Sequence, residues 1–145
     1  MGAQTQSDEN LAHSEAEDLR VCVICGRRLA REVLSRALTR ELDAHTDAFM
    51  CCEDALASDL DYDVFVVYDY FGQGRMNGPQ GTKRIRIMQP KAYVLGVTHN
   101  PGFDKQFVQV GADTAIVVDE HSVKRIVRVV RKRVVTTLYP EAARS

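Results

Sequence analysis

Short apolar runs separated by longer amphipathic stretches form the main pattern of the chain. Residues 21–24, 64–68, 92–97 and 114–118 are nearly continuous apolar runs, and a weaker run covers residues 48–51. Strands of this kind need cover on both faces, which is typical of a parallel sheet enclosed by helices. The runs therefore predict five buried strands, with residues 48–51 as the second strand at an edge of the sheet.

The stretches between the runs carry apolar residues at three- and four-residue steps, the spacing of a helix with one buried face. They predict helices over residues 29–42, 53–58 and 79–88. A fourth helix is predicted to start with Asn100 as N-cap and Pro101 in its first turn, and to stop by Gly111. The predicted buried stripe of the last helix consists of Val123, Val127, Val130, Val134 and Leu138.

Strands that alternate with helices in this way predict an α/β fold. Because crossovers between parallel strands are right-handed, few topologies remain open. We expect a doubly wound five-stranded parallel sheet with strand order 2-1-3-4-5 and helices on both faces, the flavodoxin-like arrangement. One such domain covers residues 20–138, with an acidic tail at residues 1–19 and a second tail at residues 139–145.

Composition agrees with a globular protein, since 45% of the residues are hydrophobic and 27% are charged. No apolar run approaches the roughly 20 residues of a membrane span, so we expect no membrane protein. The first twenty residues also lack the basic start and apolar core of a secretory signal, and we expect a cytoplasmic location.

Charge is balanced overall but separated along the chain. Lysine and arginine total 19 and aspartate and glutamate total 20, which favours neither nucleic-acid nor membrane binding. The amino-terminal tail is acidic, whereas the last helix carries Lys124, Arg125, Arg128, Arg131, Lys132 and Arg133. The simplest interpretation is two solvated surfaces, and a tail folded back on the basic helix is the alternative. We expect no nucleic-acid binding, because no aromatic residues lie between these cations and no recognition motif is present.

Polar residues at the carboxyl ends of the strands are the first candidates for a site, because parallel sheets place their chemistry at that edge. Asp69 follows the third strand and Thr98 the fourth, while the first strand ends at Cys25 and Gly26. One carboxylate and one hydroxyl are thus predicted to converge there. Cys22 and Cys25 form half of a zinc motif, but no second pair has suitable spacing and their offset sends them to opposite faces of a strand.

These segments together resemble the receiver domains of two-component response regulators over residues 20–138. The resemblance rests on the first strand and helix, on Met76-Asn77-Gly78, on Val97-Thr98 and on Gly111-Ala112-Asp113. It implies that Asp69 is the candidate phosphoacceptor and Thr98 the switch hydroxyl. A rival alignment places Tyr68 at the acceptor position.

The chain departs from the family pattern at the positions that handle phosphate. Cys25 and Gly26 stand where the family has the acidic pair that holds Mg²⁺, and Val118 stands where it has a lysine. Ala115 replaces an aromatic residue on the fifth strand. Phosphoryl transfer depends on positioning and on cations that neutralise charge, so these losses predict a pseudo-receiver that is not an enzyme and holds no cofactor.

Two alternatives stay open at this point. The first is a phosphorylatable receiver that uses Asp69 and Mg²⁺, with Arg27 or Arg28 replacing a cation, or Asp119 or Glu120 recruited to the metal. The second is a small flavodoxin-like enzyme or nucleotide binder. For the pseudo-receiver, the resemblance implies a signalling protein as partner, such as a histidine kinase or a second copy of the chain. The predicted contact surface includes Ala115, Lys124, Arg128 and Arg131.

Overall fold

Five parallel strands form the centre of the computed structural model, which describes residues 18–119 and 122–138. They are β1 (Arg20–Ile24), β2 (His45–Phe49), β3 (Val64–Tyr68), β4 (Tyr93–Thr98) and β5 (Thr114–Val117). Their order across the sheet is β2-β1-β3-β4-β5, and every neighbouring pair is parallel. The predicted fold class and strand order are confirmed.

Within these described residues, five helices cover the two faces of the sheet. They are α1 (Arg28–Leu42), α2 (Cys52–Ala57), α3 (Gly78–Met88), α4 (Phe103–Gln109) and α5 (Ser122–Leu138). None of the helices within residues 18–119 and 122–138 combines the length and apolar character that a bilayer span requires.

Alternation along the strands divides the core into two layers. The α1/α5 core layer is built on strand residues such as Val21 and Val23 and is closed by Leu34, Leu38 and Ile126. The α2–α4 core layer is built on Cys22, Ile24 and Phe65 and is closed by Ile85 and Phe107. Cys22 and Cys25 belong to different layers, so the expectation that they point to opposite faces is confirmed.

The second strand is shifted from its predicted position. The prediction of residues 48–51 is wrong at both ends, because β2 covers His45–Phe49 and pairs in register with Arg20–Ile24. As an edge strand it buries none of its five residues fully, so it needs no apolar run. Cys51 is the residue before α2 and Met50 is half exposed.

The start of the fourth helix was also predicted wrongly. The N-cap of α4 is Gly102, with φ 98°, and the helix begins at Phe103. Asn100 and Pro101 precede it in a turn closed by a 3.1 Å hydrogen bond from the Phe103 N–H to the Asn100 carbonyl. This turn leaves the Asn100 side chain available at the carboxyl end of β4. The helix stops before Gly111, as predicted.

The buried stripe of α5 is partly as predicted. Val127 and Val130 are buried and Val123 and Val134 are half-buried, but Ile126, which is as completely buried as Val130, was not in the predicted stripe. The Leu138 side chain lies outside the described part of the chain, as do tail residues 1–17 and 139–145. Leu19, assigned to the amino-terminal tail, is buried in the α1/α5 core layer.

Candidate functional site

Asp69 and Thr98 meet at the carboxyl edge of the sheet. Tyr68 pairs with Val97 in the β3/β4 register. The residues that follow them, Asp69 and Thr98, are therefore neighbours at the carboxyl ends of these two strands. The Thr98 hydroxyl is completely buried and donates a 2.6 Å hydrogen bond to Oδ2 of the half-buried Asp69 carboxylate. The hydroxyl thereby holds the orientation of the carboxylate.

Asn100 is a third member of this cluster that sequence reasoning assigned a different role. Its backbone N–H donates to the Thr98 hydroxyl oxygen at 3.0 Å, and its side-chain Nδ2 lies 3.5 Å from Asp69 Oδ2. The signal in the sequence was a second polar side chain two residues after Thr98, in the loop that follows β4. Because Asn100 was interpreted as the N-cap of the fourth helix, its place beside Asp69 was not predicted.

A backbone hydrogen bond holds the end of the β3–α3 loop next to Asp69. The Gly78 N–H donates to the Asp69 carbonyl at 2.8 Å. A Cβ at Gly78 would lie 2.2 Å from the Tyr68 carbonyl oxygen, so only glycine permits this approach. Asn77 and Gln80 complete a reciprocal capping box at the start of α3. The loop therefore returns to α3 at a fixed place beside Asp69.

The positions expected to hold Mg²⁺ do not fit that ion. Cys25 is buried, its carbonyl accepts a 2.8 Å hydrogen bond from Arg31, and burial raises the pKa of its thiol. Gly26 offers no side chain. Mg²⁺ prefers carboxylate oxygens, and the described residues contain no cluster of three His, Cys, Asp or Glu side chains able to hold a metal.

An apolar residue also occupies the expected lysine position. Val118 is buried, and its backbone N–H donates to the Thr98 carbonyl at 2.8 Å, which extends the β4/β5 pairing by one residue. The side chain lies in the α1/α5 core layer together with Val97. Val118 therefore provides no ammonium group to Asp69.

The side chains considered as replacements for these charges are engaged elsewhere or exposed. Arg28 pairs with Glu32 on the outer surface of α1 at 3.2 Å. Arg27 is exposed and precedes α1, and no contact joins it to Asp69 in the part of the chain that the structure describes. Asp119 is exposed and its carbonyl accepts a hydrogen bond from Ser122. Glu120 lies outside the described residues.

Tyr68, the rival acceptor, has a different environment from Asp69. It packs against the α1/α5 core layer, and burial raises the pKa of its phenol. The hydrogen bond from Thr98 goes to Asp69 and not to Tyr68. The geometry at the sheet edge therefore pairs the Thr98 hydroxyl with Asp69.

The predicted contact surface is divided by the fold. Lys124, Arg128 and Arg131 are exposed on α5 and line a groove against α1. Arg131 donates to the Glu41 carbonyl at 3.1 Å and lies 3.3 Å from its carboxylate. Ala115 packs against the α2–α4 core layer and is not part of that groove.

Comparison with known proteins finds the same fold in solved receiver domains. No family model matches the sequence, and no curated protein matches it either. The BeF3-activated DrrB receiver domain is 16% identical, with a TM-score of 0.70 over 79% of this chain and 96% of that one. An orphan response regulator of H. pylori is 22% identical, with a TM-score of 0.68 over 81% and 97%. A CheY-like receiver domain protein from Methanospirillum hungatei is 12% identical, with a TM-score of 0.71 over 80% and 93%.

These similarities place the chain in one class by architecture. It has the CheY-like, doubly wound α/β fold of response regulator receiver domains. At these identities the likeness concerns the fold, and function has to be argued from the site.

Proposed function

We propose that this protein is a receiver-like signalling domain that acts through protein–protein contacts, without Mg²⁺-dependent phosphoryl transfer. The observation that carries the proposal is the set of side chains around Asp69. Cys25, Gly26 and Val118 stand at the metal and lysine positions, in a fold that otherwise matches receiver domains.

The chemical argument concerns the charge that develops on a transferred phosphoryl group. Catalysis of this reaction consists mainly of positioning and of cations that neutralise the equatorial oxygens. Asp69 has Thr98 and Asn100 as hydrogen-bonding neighbours, both neutral. A carboxylate that approaches a phosphate without a cation between them meets unscreened repulsion, which is stronger at a half-buried position than in water. The site therefore favours a structural carboxylate over an acceptor.

A fold without its own phosphoryl chemistry still offers surfaces to partners. In this proposal the partner is a signalling protein of the same compartment, such as a histidine kinase or a second copy of the chain, and the compartment is the cytoplasm. The exposed cations of α5 are the charged part of the contact surface. The domain needs no cofactor for this role and is not an enzyme.

Phosphodonor labelling tests the proposal directly. The protein is incubated with acetyl phosphate and Mg²⁺, and intact mass is measured with an active receiver domain treated in parallel. We expect the control to gain one phosphoryl group and this protein to gain none. A gain that disappears in Asp69→Asn would overturn the proposal. A gain that persists in Asp69→Asn would place any phosphorylation elsewhere on the chain.

One observation favours the second candidate function, a phosphorylatable receiver. The Thr98 hydroxyl and the Asp69 carboxylate, the candidate switch and acceptor groups, are joined by a hydrogen bond of 2.6 Å. That pairing is compatible with a switch if a cation arrives from a partner protein. The labelling experiment repeated with a purified histidine kinase as donor distinguishes this candidate, since it predicts labelling with the kinase only.

A further inference from the structure

A basic groove runs between α1 and α5, on the outside of the α1/α5 core layer, and encloses about 630 Å³. Its floor is apolar and its walls are cationic. The floor consists of Val33, Ala37, Val123 and Val127, and the walls carry Arg36, Arg40, Lys124, Arg128 and Arg131 together with Glu41. This set of residues is called the basic groove below.

The cations of the basic groove are only partly neutralised. Its carboxylate, Glu41, lies 3.3 Å from Arg131 and 3.6 Å from Arg40. The remaining cations, Arg36, Lys124 and Arg128, have no acidic partner within residues 18–119 and 122–138. Like charges on adjacent helix faces repel one another, so an anionic occupant would stabilise this arrangement.

The chain carries a segment with the complementary character. Residues 1–17 contain four acids and no lysine or arginine. The acids are Asp8, Glu9, Glu15 and Glu17, and Leu11 lies between them as an apolar residue suited to an apolar floor. An acidic segment with an interspersed apolar side chain matches a groove with cationic walls and a valine-lined floor.

The segment joins the fold on the side of the sheet where the basic groove lies, and it is longer than the groove. Leu19 is buried in the core layer that α1 and α5 cover, so the chain enters the domain on the same side as the groove. From Val123 to Arg131 the groove follows about 12 Å of helix. Seventeen residues span up to about 56 Å when extended, several times that distance.

The second cavity near Leu19 is a weaker destination for an acidic segment. It encloses about 370 Å³ and is lined by Asp61 and Asp63 as well as Lys91 and Arg133. Two carboxylates and two cations give it no net attraction for an anion. Charge complementarity therefore selects the basic groove.

We propose that residues 1–17 bind in the basic groove of their own chain and cover it. The bound segment is an autoinhibitory contact: an acidic partner of α1 and α5 has to displace it before docking. This inference goes beyond the signalling role proposed above and does not depend on whether Asp69 is phosphorylated.

Protease protection in the full chain tests the proposal. Glu-C protease cleaves after Glu9, Glu15 and Glu17, and mass spectrometry follows the released peptides. The test variant is Arg36→Glu/Arg128→Glu, which reverses two unpaired cations of the groove. The matched control is Lys83→Glu/Arg84→Glu, two exposed cations on α3, which packs on the opposite face of the sheet.

We expect cleavage of the segment about fivefold faster in the groove variant than in wild type, because surface ion pairs contribute modestly and two are removed. The control should cleave at the wild-type rate. Raising the salt from about 0.05 M to about 0.5 M should accelerate cleavage of wild type and leave the groove variant almost unchanged, since screening removes the same attraction.

Three outcomes would overturn the proposal. Equal cleavage rates in wild type and the groove variant would show that the groove does not hold the segment. Equal acceleration of cleavage in the α3 control would show that the change in net charge, and not the groove, causes the faster cleavage. Protection that rises with protein concentration would assign the occupant to a second copy of the chain. Amide chemical shifts of Val33 and Val123, measured in the same variants by NMR, check that the variants fold and report occupancy independently.

Discussion

Removing the hydroxyl of Thr98 should destabilise the protein and uncouple Asp69 from the fold. Thr98→Val keeps the shape of the side chain and deletes one oxygen. That oxygen donates to Asp69 at 2.6 Å and accepts from the Asn100 N–H at 3.0 Å. Because Thr98 is completely buried, water cannot reach the position of the deleted hydroxyl and replace its hydrogen bonds.

The magnitude follows from these two bonds. A hydrogen bond to a charged acceptor contributes about 1.5–3 kcal/mol, and the lower end applies because Asp69 is half-buried and water can solvate its freed oxygen. The Asn100 N–H loses its acceptor, which costs about 1 kcal/mol. We therefore expect Thr98→Val to lower the free energy of unfolding by about 2–3 kcal/mol in urea denaturation at neutral pH.

A double-mutant cycle with Asp69→Ala isolates the bond between the two side chains. We expect a coupling energy of about 1 kcal/mol. The matched control is Thr82→Val: Thr82 is also completely buried, but its hydroxyl has no hydrogen-bond partner in the described structure, so its removal should be neutral or stabilising. Additive effects of Thr98→Val and Asp69→Ala within about 0.3 kcal/mol would refute the reasoning, as would an equal loss in both threonine variants.

Three further predictions concern packing, capping and pH. Gly96→Ala would place a Cβ 2.4 Å from Phe107 Cγ, so overpacking should cost about 1–3 kcal/mol, read as a lower Tm; an unchanged Tm would contradict the close contact. Asn77→Ala removes the capping box of α3 and should cost about 1 kcal/mol in urea denaturation, whereas Asn77→Ser should retain most of it. Burial raises the pKa of Cys52 from 9.0 to about 12, so the folded state holds a proton that the unfolded state loses. Stability should therefore fall as pH rises above about 9, and a smaller fall in Cys52→Ala, measured over the same pH range, would assign it to this thiol.

The architecture was predictable because most of the strands are buried on both faces. β3 coincides with the apolar run at residues 64–68, β1 starts one residue before its run, and β4 is shifted by one residue at both ends. β2 lacked such a signal, since His45, Thr46 and Asp47 are tolerated where an edge strand faces solvent. The apolar runs thus located the buried strands well and the exposed edge strand poorly.

The site was predictable to the extent that it depends on strand ends. Asp69 and Thr98 follow directly from the register of parallel strands. Asn100 was not recognised, because its role depends on where α4 starts, and Gly102 starts that helix later than the Asn-Pro pair indicated. Loop geometry of this kind is set by tertiary contacts and leaves little trace in local propensity.

In the proposed function, the uncharged residues at the expected metal and lysine positions bear on how the domain could switch. In a two-state protein, a ligand shifts the equilibrium only by its difference in affinity for the two states. Cys25 and Val118 extend the α1/α5 core layer to the carboxyl edge of the sheet, so these two positions carry apolar groups and no charge. On the proposed function, we expect these apolar positions to give phosphate little difference in affinity between two states. In the proposed function a change of state draws its energy from a surface contact, and the charged groove between α1 and α5 is one place where the described structure offers cations without an acidic partner.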